Sequence, residues 1–352
     1  MTSSPPVDMV DLFAGPGGLD VAARWLGLGV HGIEWDRNAC ATRAAAGLGT
    51  TRDDVRGYGP ADFPDATILA GGPPCQTYTV AGGGAGRRAL EQVLAFVKRM
   101  AAGDDGVAAE LALLDDERTG LVLQPLRWAL AAEQLGRPYE TIVLEQVPAV
   151  LPVWEAVREA LEGIGYRATC GILNTEEFGV PQTRRRAILI ARRDRQVSLP
   201  APTHRRYRKG MLQSEGDSRL RPWENMGSAL RRPSPFVVIS NYGTGGDPKA
   251  RGRRTSAEPA ATVTGKISRN RLVAADGTEL DRFTLAEAGR LQSFPVDYPW
   301  SGGDIAQQIG NAIPPRLAAH VLAAALGIQL DETALDGAVE SKWRLAAGRL
   351  VG

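Results

Sequence analysis

Residues able to do covalent chemistry sit where apolar runs end. Gly71-Gly72-Pro73-Pro74-Cys75-Gln76 closes one such run. Paired glycines and prolines make a stiff turn that sets one thiol at a strand's carboxyl edge rather than in packing. A buried structural cysteine, the commoner fate of a thiol, is the reading kept for Cys40 and Cys170. Leu144-Glu145-Gln146-Val147-Pro148 closes a second run. A thiolate and a carboxyl group facing one crevice suit attack on a pyrimidine. Sulfur adds at carbon 6, and the carboxyl group hydrogen-bonds the ring nitrogen and exocyclic amine. Electron density then moves to carbon 5. Zinc-dependent deamination is excluded. It needs a second cysteine three residues on, where Tyr78 stands, and an upstream His-x-Glu that the sequence lacks. Arg184 and Arg186, in Gln182-Thr183-Arg184-Arg185-Arg186, share one face of an extended segment. They are placed to hold Glu145, a base or a phosphate; a solvated arginine cluster is the plainer alternative.

A further set of residues suits a nucleotide-like ligand. The first apolar run passes into Asp11-Leu12-Phe13-Ala14-Gly15-Pro16-Gly17-Gly18-Leu19. Glycines there let the backbone turn sharply and approach a ligand. Gly15 and Gly17 fit a GxGxxG pattern, but its third position falls on Asp20, which weakens a nicotinamide reading. Glu34-Trp35 ends the next run; the carboxylate can accept both ribose hydroxyls and the indole can cover an adenine face. Asp54 follows at a spacing suited to the next strand end, within reach of the adenine amino group. A glycine turn beside a surface glutamate is the plainer alternative.

Positioning these groups falls to alternating strands and helices. Apolar runs at 7–13, 30–35, 66–71, 141–147, 167–173 and 187–192 read as buried strands. Helical patterns fall between them at 18–26, 38–46, 121–135 and 153–163. This alternation predicts an α/β fold with a mostly parallel, doubly wound sheet, which binds ligands at the carboxyl ends of its strands. Two regions break the order. Residues 82–118 read as a mobile glycine-rich loop with a helical insertion, and 194–281 as a small irregular domain rich in Arg, Pro and Gly. Residues 283–294 and 314–327 read as helices that return to the large domain.

Composition bounds the function. At 352 residues the chain exceeds the roughly 250–300 that one core usually serves, so a large and a small domain are expected. Three cysteines and the scattered His31, His204 and His320 give no disulfide framework and no metal-ligand spacing. The chemistry is therefore expected to run without a metal. The apolar stretch at 317–327 is too short to span a bilayer, and the N-terminus lacks a signal-peptide pattern, so a cytoplasmic protein is expected. The net charge of +1 hides an asymmetry: Gln182–Arg271 holds 21 Lys/Arg against 6 Asp/Glu, a net +15. The rest holds 20 against 34, a net −14. One basic module on an acidic remainder is what phosphate neutralisation would look like.

With these motifs in order, the chain resembles the DNA cytosine-5 methyltransferases over about residues 8–325. DLFAGPGGLD is similar to that family's cofactor loop, and Glu34-Trp35 to its ribose and adenine contacts. GGPPCQ resembles the nucleophile motif, Leu144-Glu145-Gln146-Val147 the Glu-Asn-Val motif, and Gln182-x-Arg184-x-Arg186 the Gln-x-Arg-x-Arg motif. The segment Arg282–Pro295 resembles a helix before the last motif. Gln308-Ile309-Gly310-Asn311-Ala312-Ile313-Pro314-Pro315 resembles that motif, which closes over the methionine end of the cofactor. Departures are Gln146 in place of Asn, Thr77-Tyr78-Thr79 where Pro-Phe-Ser is commoner, and a long insertion at 91–118.

The resemblance implies methyl transfer from S-adenosylmethionine to carbon 5 of a flipped-out cytosine in duplex DNA, through a covalent adduct on Cys75. Cys75, Glu145, Arg184 and Arg186 would be catalytic. Cofactor contacts would come from Phe13, Ala14, Gly15, Gly17, Gly18, Leu19, Glu34, Trp35, Asp54, Pro74, Asn311 and Ala312. Candidate DNA contacts are Gln76, Arg205, Arg206, Arg208, Lys209, Arg251, Arg253 and Arg254. The expected division is a catalytic domain at 1–193 plus 282–330, a target-recognition domain at 194–281, an active-site loop and insertion at 82–118, and a tail at 331–352. A monomer with a cognate restriction endonuclease as a further partner is the expected setting. Two rivals stand beside this reading: a transfer-RNA cytosine-5 methyltransferase, and a non-catalytic DNA-binding protein on the same fold.

Overall fold

The computed structural model describes residues 7–74, 84–104, 106–111, 118–240 and 251–343. Seven strands form the main sheet: β1 (Met9–Leu12), β2 (Val30–Ile33), β3 (Gly49–Thr51), β4 (Ile68–Gly71), β5 (Thr141–Gln146), β6 (Arg167–Asn174) and β7 (Arg185–Arg192). Their order is β3-β2-β1-β4-β5-β7-β6. β1 to β5 run parallel, and β7 is antiparallel to both β5 and β6. β1, β4 and β5 are buried at every position, which is why they read as continuous apolar runs rather than alternating ones.

Helices cover both faces. α1 (Gly18–Trp25) and α2 (Arg37–Ala46) follow β1 and β2. Asp36 caps α2, accepting from Asn38 and Ala39 N–H groups. α3 (Gly84–Ala101), α4 (Val107–Leu111), α5 (Arg118–Leu121) and α6 (Gln124–Gln134) fill the long connection between β4 and β5, and α7 (Leu151–Gly163) follows β5. One face of the sheet packs Val93, Phe96, Trp128 and Trp154 against Leu144 and Leu189. The other packs Trp25, Val21, Leu317 and Val321 against Val143 and Ile190.

A second, antiparallel sheet lies within 194–281, in the order β11-β10-β8-β9. It comprises β8 (Val237–Ile239), β9 (Arg253–Thr255), β10 (Arg271–Val273) and β11 (Glu279–Leu280), preceded by the short helix α8 (Met226–Leu230). Its core of Met226, Phe236, Val238, Leu272 and Phe283 runs on into Leu291 and Ile309. The chain then returns through α9 (Leu285–Leu291), α10 (Ile305–Asn311) and α11 (Pro315–Leu326). Thr284 and Glu287 form a capping box at the start of α9.

Two segments differ from the sequence expectation. The helix expected after the glycine-rich stretch begins inside it, at Gly84. Val93, Phe96 and Val97 anchor one helical face in the core, and once nucleated a helix propagates through residues of poor propensity. The expected tail holds a further helix, α12 (Glu332–Glu340), capped by Asp331. It buries Leu335 and pairs Glu332 and Asp336 with Arg316, at 2.7 and 2.5 Å. Among the described residues no helix is long and apolar enough to cross a membrane.

Candidate active site

The carboxyl edge of the main sheet gathers most of the expected residues. After β1 the chain bends through Phe13 (φ 60°), Gly15 (φ 54°) and Gly17 (φ 103°). Phe13 thus holds a conformation uncommon for a side-chain-bearing residue, as functional loops often do. A Cβ at Gly18 would lie 2.3 Å from the Ile313 carbonyl oxygen, so this loop is pressed against the segment after α10. Tyr298 donates to the Pro16 carbonyl and pins the same loop. Ala14 and Leu19 are packed inside.

Glu34 follows β2. Its two carboxylate oxygens accept from Gly15 N–H and Asp36 N–H, each at 2.7 Å. Burial pushes its carboxyl group up from the ordinary range, against those two hydrogen bonds. Trp35 beside it is 69% exposed, an indole left uncovered by the fold. Asp54, just after β3, is already engaged: it accepts from Arg56 N–H and pairs with the Arg56 guanidinium at 2.5 Å. That hydrogen-bonded pairing holds its carboxyl group below the usual range. Beneath the loop, Asp11 is buried with neither oxygen hydrogen-bonded, near the fully buried Asp20–Arg43 pair at 2.6 Å. Burial, and then the Asp20 charge, push the Asp11 carboxyl group far up.

At the end of β4 the turn presses on β5: a Cβ at Gly72 would sit 3.4 Å from Glu145 Oε2. The Pro73 carbonyl accepts from Gln146 Nε2, and Gln146 Oε1 accepts from Val147 N–H. Gln146 therefore clips the turn that leads into Pro74 to its own strand end. Cys75 and Gln76 lie outside the described residues. Glu145 is ion-paired with Arg186 Nε; the two side chains are 8% and 11% exposed. Burial pushes the Glu145 carboxyl group up, and Arg186 pulls it back.

The two arginines take different places. Arg186 lies in β7 and reaches Glu145. Arg184 precedes the strand, where its guanidinium donates to the carbonyls of Val263 (3.0 Å), Gly310 (2.8 Å) and Ala312 (3.3 Å). Asn311 is exposed and accepts from Gln307 Nε2 at 2.6 Å, while Ala312 is buried. The basic candidates divide too. Arg205 donates to the Asp217 and Gln213 carbonyls, and Arg254 to the Pro259 carbonyl while stacking over Tyr207. Arg206, Arg208, Lys209 and Arg253 are exposed, and Arg251 is half-buried. The sequence assigned no role to Asp11, Gln182 or Gln292. A polar residue inside an apolar run signals the first; the other two stand in quoted motifs, but only their partners show what they do.

The chain as a whole is similar to known proteins. A family model described as C-5 cytosine-specific DNA methylase matches residues 7–98 and 140–221. The Type II methyltransferase M1.HphI of Haemophilus parahaemolyticus is 27% identical over 293 residues, covering 75% of this chain and 69% of that protein. M.NgoBI of Neisseria gonorrhoeae, also a Type II methyltransferase, is 26% identical over 320 residues, covering 86% and 88%. In fold the chain is similar to a prophage-encoded DNA modification methyltransferase from E. coli (TM-score 0.59, 17% identity, 91% of this chain and 99% of that one). It is similar also to the S. pombe Dnmt2 methyltransferase (TM-score 0.57, 16% identity, 91% and 98%).

Proposed function

This chain belongs to the C-5 cytosine-specific DNA methylases, an S-adenosylmethionine-dependent family of enzymes that methylate cytosine in DNA, and on that premise we propose how its own residues carry the reaction. The observation that carries the reading is the buried Glu145–Arg186 pair, set against the Gly72-Pro73 turn that comes just before Cys75 in the sequence.

The residues fit the methyl donor. Glu34 keeps lone pairs for ribose hydroxyls beyond its two backbone bonds, and Trp35 offers an open aromatic face. Gly15 opens onto free space where a ligand could approach the backbone, and Ile313, next after Asn311–Ala312, packs against Gly18 of the same loop. S-adenosylmethionine supplies an electrophilic methyl group when bound. Asp54 would join the adenine end only by sharing its carboxylate with Arg56.

The target cytosine must leave the base stack to reach Cys75, since carbon 6 is shielded within the duplex. The Cys75 thiolate forms a bond to carbon 6, opening the 5,6 double bond. Glu145 hydrogen-bonds the ring nitrogen and exocyclic amine and steadies the electron density that moves to carbon 5. Burial raises the Glu145 carboxyl group, so it can give its proton to the ring nitrogen while accepting from the exocyclic amine, and Arg186 keeps it oriented. Carbon 5 takes the methyl group, loses its proton to a base through water, and the carbon 6–sulfur bond breaks to restore the ring and the thiolate. Residues 194–281 act as the target-recognition domain, with Arg206, Arg208, Lys209 and Arg253 toward phosphate. The rest of the described chain, without residues 194–281, acts as the catalytic domain.

Label from S-adenosylmethionine should appear in mixed-sequence duplex DNA, and Cys75→Ser should abolish it while leaving cofactor binding intact. Normal turnover by that variant would end the adduct scheme. Label on transfer RNA alone would move the substrate to RNA, and label on neither would leave a binding protein.

A further inference from the structure

Three stretches distant in sequence meet on Gln182–Arg184, and every side chain that joins them is buried: Gln182 0%, Arg184 2% and Gln292 0% exposed. Backbone pairing comes first. Ala260 N–H donates to the Pro181 carbonyl at 2.9 Å, and Thr183 N–H to the Ala260 carbonyl at 2.8 Å. Gln182 Oε1 accepts from Val263 N–H at 2.9 Å. Its Nε2 donates to the Leu291 carbonyl (3.0 Å) and to Gln292 Oε1 (2.6 Å). Gln292 Nε2 passes the chain on to the carbonyls of Ile309 (2.6 Å) and Ala312 (3.2 Å). Arg184 closes the circuit, with Val263 on one side and Gly310 and Ala312 on the other. The backbones also touch: a Cβ at Gly310 would lie 2.5 Å from Gly265 N.

Stability alone accounts poorly for Arg184. Among the described residues no carboxylate pairs with it, and its Nε has no hydrogen-bond partner. A buried guanidinium without a counterion costs more than an apolar side chain of similar volume. What only the guanidinium provides is a planar fork that ties two chain segments at once. One segment, 260–265, belongs to the basic small domain; the other, 309–312, carries Asn311 and leads to Ile313 on the Gly18 loop.

We propose that Arg184, with Gln182 and Gln292, is a positioning residue. It couples seating of duplex DNA on the small domain to closure of the Gly310–Ala312 turn over the cofactor. It does not touch the cytosine. The inference rests on the functional reading above, in which residues 194–281 take DNA and the Asn311 turn holds the cofactor. A rigid link of this kind makes each ligand favour the arrangement the other needs, and the coupling is reciprocal.

The test is calorimetric titration of the full chain with S-adenosylhomocysteine, alone and with a saturating duplex carrying the mapped methylation site. In the wild type, DNA should tighten S-adenosylhomocysteine binding about tenfold, within the range usual for coupled sites, and S-adenosylhomocysteine should tighten DNA equally. In Arg184→Met the ratio of affinities should fall to about one in both directions, whatever the binary affinities do. Gly310→Ala, which wedges the two backbones apart while keeping Arg184, should do the same, and it decides the matter if Arg184→Met does not fold. A merely structural role would lower the melting temperature and leave the ratio at its wild-type value; that result, or a wild-type ratio near one, overturns the proposal. Failure of the wild type to bind either ligand would instead overturn the functional reading beneath it.

Discussion

Replacing Arg186 by Met tests the electrostatics of the site directly. The Glu145–Arg186 pair is buried on both sides, 8% and 11% exposed, so it belongs with interior rather than surface ion pairs. Removing one partner of such a pair costs about 3–5 kcal/mol, because the other charge is left stranded. At roughly 2–4 °C per kcal/mol for domains of comparable size, the melting temperature should drop on the order of 10 °C at neutral pH. The loss should also depend on pH. Burial already raises the Glu145 carboxyl group above its ordinary 4.5, and Arg186 is what opposes that. Without Arg186 the native state prefers the protonated acid more strongly. A group whose folded pKa lies above its unfolded one favours folding below the unfolded value and loses that contribution as pH rises through the folded value. Arg186→Met should therefore lose more stability at about pH 8.5 than at about pH 5.5, and Glu145→Gln/Arg186→Met should lose that slope. Thermal unfolding followed by circular dichroism at both pH values reads this out. A drop of under about 2 °C at both, or a deeper loss at the acid end, would refute the reasoning.

Other perturbations separate binding from folding. Trp35→Ala removes a side chain that is 69% exposed, so stability should change by less than about 0.5 kcal/mol. S-adenosylhomocysteine affinity, measured by calorimetry, should nevertheless fall about tenfold, in line with about 1–3 kcal/mol for a base stacked on an aromatic ring. Gly18→Ala sets a Cβ 2.3 Å from a backbone oxygen that cannot rotate away. Overpacking of that kind costs about 1–3 kcal/mol, so the same titration should weaken by on the order of tenfold. Gln146→Ala frees the Pro73 carbonyl and the Val147 N–H. On the proposed mechanism it should lower kcat about tenfold with little change in cofactor KM, since one buried hydrogen bond holding the turn before Cys75 is worth about 1–3 kcal/mol. Gln146→Asn should recover part of the rate.

Much of this molecule was legible before its structure. Short apolar runs located six of the seven main-sheet strands, most plainly β1, β4, β5 and β7, which are buried at almost every position. β2 and β6, expected to be buried too, are in good part only half-buried because they lie toward the sheet's two edges. The spacing of Glu34 from Gly15 put the two at neighbouring strand ends, where the Glu34 carboxylate accepts from Gly15 N–H, since neighbouring parallel strands present their carboxyl ends to one crevice. The region of the second sheet was visible in its charge but not in its elements. Its strands are only two or three residues long, too short to carry a period, and their pairing depends on partners many residues away. The same limit applies to α12, whose pairings with Arg316, Arg290 and Arg221 span 16 to 115 residues.

By itself the sequence determined the order of elements and the residue types at each strand end, because both follow from local pattern and backbone sterics. It left Arg184 and Arg186 equivalent, two arginines on one face of an extended segment. Only the tertiary structure told them apart. Arg186 meets a buried carboxylate across a β5–β7 register fixed by hydrogen bonds, and Arg184 meets three carbonyls, at and beyond the end of α10 and in the segment around Val263, 79 to 128 residues away. Which partner a long side chain finds depends on where distant backbone is brought, and no local propensity encodes that.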